Sequence, residues 1–170
     1  MRIFKNLINT WKKLRSFIRV WKMVPLDVES VIVDNLTGLH KREVFLHLVD
    51  RLDNSGEKSM IFFDLNGLKK VNDVLGHDAG DEFIASFAAA VKKAIRYTDL
   101  SCRWGGDEFV VIIDGDEESA ELVVERISQI TKVPFAYGIS KYGTSFIEAL
   151  NEADNKMYAN KRKGRQPFCR

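Results

Sequence analysis

Three acidic residues carry the chemistry this chain is best equipped for: Asp64, at the end of the apolar run "SMIFFDL", and Asp107 and Glu108, inside "RWGGDEFVVII". Carboxylates gathered at one sheet edge repel one another unless a cation neutralises them. Hard oxygen donors without His or Cys select Mg²⁺ or Mn²⁺. Such ions suit phosphoryl transfer, where they lower the pKa of an attacking hydroxyl and steady the charge on phosphorus and on a departing pyrophosphate. Gly105 and Gly106 would let a triphosphate approach the backbone closely, although Gly-Gly-Asp is also ordinary hairpin chemistry. Directly after Asp64 the chain reads "LNGLKKVND". Gly67 turns strand into helix and leaves backbone N–H groups at a helix N-terminus, a natural anion site to which Lys69 adds positive charge. A tight strand-to-helix loop with a solvated lysine is the plainer reading of the same residues.

Hydrophobic periodicity predicts the elements that must position these groups. Phe4, Leu7, Trp11, Leu14, Ile18 and Trp21 recur at steps of three and four, a heptad seam on a helix that Pro25 ends. A second helix is expected in "DNLTGLHKREVFLHLVDRL", with Asp34 as its N-cap and "NSGEK" as its end. Ser59–Leu65 reads as a buried central strand with Asp64 at its carboxyl end. A helix follows from Leu68, then another in "DAGDEFIASFAAAVKKAIRY" capped by Asp78, a strand at Leu100–Arg103, the glycine turn and a strand at Phe109–Ile113. The order closes with a helix at Glu117–Thr131, a strand at Pro134–Ile139 and a helix at Ser145–Lys161. Helices alternating with single strands, plus one hairpin, predict an α/β or α+β sheet with helices on one face, close to a ferredoxin-like arrangement. The hairpin turn and the end of the first strand then lie on adjacent strands, which brings Asp64, Asp107 and Glu108 together.

With 170 residues, 45% hydrophobic and 29% charged, the chain can bury one proper globular core. Two cysteines, Cys102 and Cys169, are too few for a disulfide framework or a zinc site and read as free thiols in a reducing cytosol. The net charge of +2 hides an asymmetry: residues 1–25 hold seven Lys or Arg and no acid, leaving 19 basic against 24 acidic residues, a net −5, for the remainder. Two parts are expected, a basic amphipathic helix at 1–25 and a catalytic domain at 26–170. No apolar run approaches the roughly 20 residues of a membrane span, and the N-terminus lacks the apolar core of a signal peptide. A cytoplasmic protein is expected, with no nucleic acid polymer as partner.

The segments "DNLTGL", "FFDLNGLKKVND", "GHDAGDEF", "RWGGDEF" and "ADNKMYANKRKGR" follow one another as do the signatures of GGDEF-domain diguanylate cyclases, and the chain resembles that family from Asp34 to about Arg165. The resemblance implies a polymerase-palm-like sheet. It implies condensation of two GTP into cyclic di-GMP with release of pyrophosphate, each protomer of a homodimer presenting one GTP. By position, Asp64, Asp107 and Glu108 would hold the metals with the Leu65 carbonyl, and the backbone of Gly67 and Leu68 would meet the phosphates with Lys69, beside Gly105 and Gly106. Lys161 and Arg165 would grip the terminal phosphates. Asn72 and Asp81 match the positions that read guanine; a carboxylate accepts from guanine N1–H and N2–H₂, donors that adenine lacks. Arg96 and Asp99, in "RYTD", match the spacing of the family's inhibitory product site, while two charged residues three apart also form a plain ion pair. Asn66, Lys41 and Asn160 depart from residues frequent in the family, and none of these departures removes a metal ligand.

The seam over residues 1–22 must be buried against something. A parallel coiled coil is favoured, because the chemistry needs two protomers and the stripe is narrow. Seven positive charges also suit an amphipathic helix lying on anionic lipid at the inner membrane face, and packing on its own domain is the third option. No sensory domain is expected ahead of the catalytic one. Two rival readings are a catalytically silent module that binds GTP or cyclic di-GMP, which would not need three intact acids, and a cyclase making another cyclic dinucleotide, which Asp81 disfavours.

Overall fold

The computed structural model describes residues 32–52, 56–143 and 145–162, so the basic seam of residues 1–22, Arg165 and Cys169 lie outside the described residues. In chain order the described elements are β1 (His40–Lys41), α1 (Arg42–Val49), β2 (Lys58–Leu65), α2 (Leu68–Leu75), α3 (His77–Ala94), β3 (Leu100–Arg103), β4 (Glu108–Asp114), α4 (Glu117–Ile130), β5 (Phe135–Tyr142) and α5 (Phe146–Arg162). The strands form one mixed sheet in the order β1-β3-β4-β2-β5. Only β1 and β3 run parallel; β2 pairs antiparallel with β4 on one side and with β5 on the other.

Period-two alternation divides the side chains of β2 between two cores. Ile61, Phe63 and Leu65 join Phe109, Val111 and Phe135 beneath α3 and α4. There the Phe87 ring lies 5.5, 5.0 and 5.2 Å from those of Phe63, Phe109 and Phe135. Met60 and Phe62 join Cys102, Val110 and Ile112 against Phe45 and Val49 of α1 and Ala149, Ala153 and Met157 of α5. Helices therefore flank the sheet on both faces, where the sequence suggested one. The reason is already in β2: a strand apolar at nearly every position has to be covered twice. Gly138 sets how closely α5 lies on β5, because a Cβ there would overlap the Ala153 carbonyl and the Met157 N–H and reach 3.0 Å from Lys156 Cβ.

Two expected helix caps have other roles. Asp34 does not start a helix; its Oδ1 accepts from the Thr37 N–H at 2.9 Å and the Thr37 hydroxyl at 2.7 Å, closing a turn ahead of β1, and α1 begins only at Arg42. Asp78 stands within the first turn of α3, whose N-cap is Gly76. Asp116, by contrast, caps α4 through the Ser119 N–H at 2.9 Å. α3 ends at Ala94, so "RYTD" forms the turn into β3 rather than a helix end. α2 is unlike its neighbours, since none of its residues is buried. Among the described residues, no helix is long and apolar enough to cross a membrane. Cys102 is a free, buried thiol, pushed up to about 12 chiefly by that burial.

Candidate active site

The register of the sheet brings two of the three acids face to face. Asp64 and Glu108 are direct partners across the antiparallel β2–β4 pair, so their side chains leave the sheet on the same face, the one covered by α5. The turn between β3 and β4 is closed by Trp104 N–H and Gly105 N–H, which both donate to the Glu108 carbonyl at 2.8 and 3.2 Å. Leu65 N–H donates to the Asp107 carbonyl at 3.0 Å and ties that turn to the end of β2. Gly105 makes room for an acid: a Cβ there would come 2.5 Å from Glu108 Oε2. Gly106 has open space around its Cα and, like Gly105, no positive φ, so neither is demanded by the turn's backbone conformation.

Electrostatics favour a positive charge at this corner. Burial pushes the Glu108 carboxyl above the usual carboxylate range, Asp107, Asp64 and Asp154 push it further, and Arg42 opposes them. The Lys161 ammonium already answers part of that demand, with Nζ 2.6 Å from Asp64 Oδ1. Among the described residues, no three His, Cys, Asp or Glu side chains stand together as a ready-made ion cage. The donor set nonetheless fits Mg²⁺ or Mn²⁺, which are held by one or two carboxylates and completed by substrate oxygens rather than enclosed by protein alone.

Two residues beyond Leu65 the chain presents donors. Gly67, at φ +86°, turns the backbone into α2, whose N-terminus has no side-chain cap, and Lys69 is exposed in its first turn. Further along α2, Asn72 packs on Gly80 of α3 so closely that a Cβ at Gly80 would overlap its Oδ1. The next residue, Asp81, is exposed. Asn72 therefore lies against the residue that precedes Asp81, where the two helices join.

The family model described as "Diguanylate cyclase, GGDEF domain" matches residues 31–167 of this chain. The chain belongs to that family. It is 34% identical to the response regulator PleD of Caulobacter vibrioides over 82% of this chain and 36% of PleD. It is 36% identical to the diguanylate cyclase DgcS of Shewanella oneidensis over 76% of this chain and 45% of DgcS. The chain thus spans less than half the length of these relatives. Among solved structures, the GGDEF domain of TpbB (YfiN) from Pseudomonas aeruginosa superimposes with a TM-score of 0.72, at 28% identity over 79% of this chain and 91% of that one.

The GGDEF domain uses residues that motif reading passed over. Arg103 donates from Nε and Nη2 to the Gly106 carbonyl at 3.1 and 2.8 Å and holds the glycine turn from behind. Its Nη1 lies 3.6 Å from Asp34. Burial would raise the Asp34 carboxyl, but the Thr37 hydrogen bonds and Arg103 outweigh it, so the group sits below its ordinary value and stays ionised for this brace. The spacing of Asp34 and Thr37 is a turn signal that could have located the brace. Arg42 lies 3.9 Å from the Trp104 ring centroid and packs the near end of the same turn.

The "RYTD" turn lies at the other end of the GGDEF domain's sheet. Asp99, 8% exposed, accepts from Arg96 N–H at 2.7 Å and from Asp114 N–H at 3.3 Å. The two residues therefore meet through Arg96's backbone, and its side chain is exposed. Asp114 ends β4 and Glu108 begins it, which separates the turn from the acids by about 20 Å at 3.4 Å per residue.

Proposed function

We propose that this chain is a diguanylate cyclase that condenses two GTP into cyclic di-GMP with release of pyrophosphate, one GTP per protomer of a homodimer. The observation that carries the reading is the Asp64–Glu108 pair, two carboxylates set opposite each other by ladder register beside an uncapped helix N-terminus. Asp64, Asp107 and Glu108, with the Leu65 carbonyl, would hold Mg²⁺ or Mn²⁺. Such an ion supplies acidification of the attacking hydroxyl and charge neutralisation at the leaving pyrophosphate. The chain's own groups do the rest. Backbone N–H groups of Gly67 and Leu68, with Lys69, orient the phosphates; Lys161 and Arg165 take the terminal ones. Asn72 and Asp81 read the guanine edge, and Gly105 keeps the turn low enough for the nucleotide to approach. Incubating the purified protein with GTP and Mg²⁺ and weighing the product tests this: the mass of cyclic di-GMP is expected. GTP recovered intact would mark a silent binding module, and a different cyclic dinucleotide would overturn the guanine assignment.

Asp81→Ser is expected to lower the preference for GTP over ATP by at least about 100-fold, because a site built to accept two base hydrogen bonds loses its acceptor pair. Competition between the two nucleotides in one reaction measures it. Unchanged strictness would place base recognition elsewhere.

Arg96 is proposed as a contact for inhibitory product. Arg96→Ala should raise the cyclic di-GMP concentration needed for half-inhibition by at least about tenfold, since a charge-assisted contact is lost. The initial rate should stay at the parent value, given the separation of this turn from the acids along β4. Equal inhibition of both proteins would remove Arg96 from any such site.

A further inference from the structure

We propose that Lys161 is a resident counter-ion of the metal seat: on Asp64 it holds the place a divalent cation takes, and a triphosphate frees that place by drawing the ammonium onto its terminal phosphate. The inference rests on the reading of Asp64 as a metal ligand and Lys161 as a phosphate contact.

The contact has the marks of a placeholder. At 2.6 Å it is a short, charge-assisted hydrogen bond to an acid on β2, a strand paired along both of its edges. Asp64 is 15% exposed and Lys161 41%, so the acid is shielded while the ammonium keeps part of its water and can leave without a large penalty. Ala149, Ala153 and Met157 anchor α5 on the sheet, so the helix need not move. The flexible four-carbon stem can carry the charge from one oxygen partner to another. A divalent ion and an ammonium cannot both sit on Asp64 Oδ1, because two positive charges that close repel strongly where the site is partly desolvated.

Two consequences follow. A free divalent cation binds the nucleotide-free protein weakly, because it must first displace Lys161. Nucleotide and metal then help each other to bind, and by linkage the help is reciprocal. Lys161 thereby orders the loading of the site, and its charge also stabilises the three acids until substrate arrives.

The test is direct binding of Mn²⁺ to the nucleotide-free full chain, followed by the electron paramagnetic resonance signal of the free ion. Lys161→Met keeps most of the stem and removes the charge; it should bind Mn²⁺ about five- to tenfold more tightly than the parent, within the usual range of coupling between sites. Lys161→Arg retains the charge and should stay within about twofold of the parent on the same grounds. Equal, weaker or undetectable Mn²⁺ binding by Lys161→Met overturns the inference while leaving Asp64 as a ligand. Asp64→Asn distinguishes the deeper failure: it should weaken Mn²⁺ binding, and if it does not, the metal assignment and the inference fall together.

Discussion

Asp64→Asn is expected to reduce cyclic di-GMP synthesis by at least about 10³-fold while leaving the fold in place. The substitution keeps the shape of the side chain and removes one of the charges that would hold the metal, an electrostatic contribution that catalysis cannot replace from elsewhere in the site. Stability should change by less than about 1 kcal/mol, because the ion pair it breaks has a half-exposed partner and such pairs contribute little. Initial rates of product formation, read beside the urea midpoint of the same preparation, separate the two effects. A rate within tenfold of the parent would falsify the metal assignment. Asp107→Asn and Glu108→Gln should follow the same pattern.

The largest effect on stability is expected from a residue with no chemistry. Gly138→Ala should cost about 3 kcal/mol or more, because its new methyl meets main-chain atoms of Ala153 and Met157, which cannot rotate aside as a side chain can. α5 must lift off β5, and with it Lys161. The urea midpoint should fall with an unchanged slope. Gly106→Ala is the matched control, with open space at the new Cβ and no left-handed backbone, and should be close to neutral in stability. A loss below about 1 kcal/mol in Gly138→Ala would mean that the helix rides over the methyl at little cost.

The contrast between Asp64 and Gly138 shows what a one-dimensional pattern carries. Asp64 was legible because it interrupts an apolar strand, and because the glycine turn and the strand after it announce a neighbouring hairpin. Its directness of pairing with Glu108 was not, since period two assigns a face and leaves the register free. The demands on Gly138 and Gly80 come from elements distant along the chain or from a helix packing angle, and nothing local signals either. Asp34 and Asp78 invite reading as caps because an acid ahead of a helical run is the same signal whether it closes a turn, enters the first helical turn or caps. At Asp116 that signal and the boundary coincide, and the residue caps. Helices on both faces could have been inferred from β2, whose continuous apolar run outweighs the general preference for a one-sided sheet.

α2 has no buried residue and is bounded by Gly67 and Gly76 at φ +86° and +88°. Its release from the body of the molecule uncovers less of the core than any other helix would, chiefly what Leu68 covers, so it is expected to open at a lower free energy than global unfolding. β2, hydrogen-bonded along both edges, opens only when the whole sheet does. The proposed base reader Asn72 thus rides a segment expected to open early, while Asp64 sits on a strand whose amides are expected to exchange last. On the proposed reading, a nucleotide is admitted and released from the base side, again and again, while the acids keep their mutual alignment.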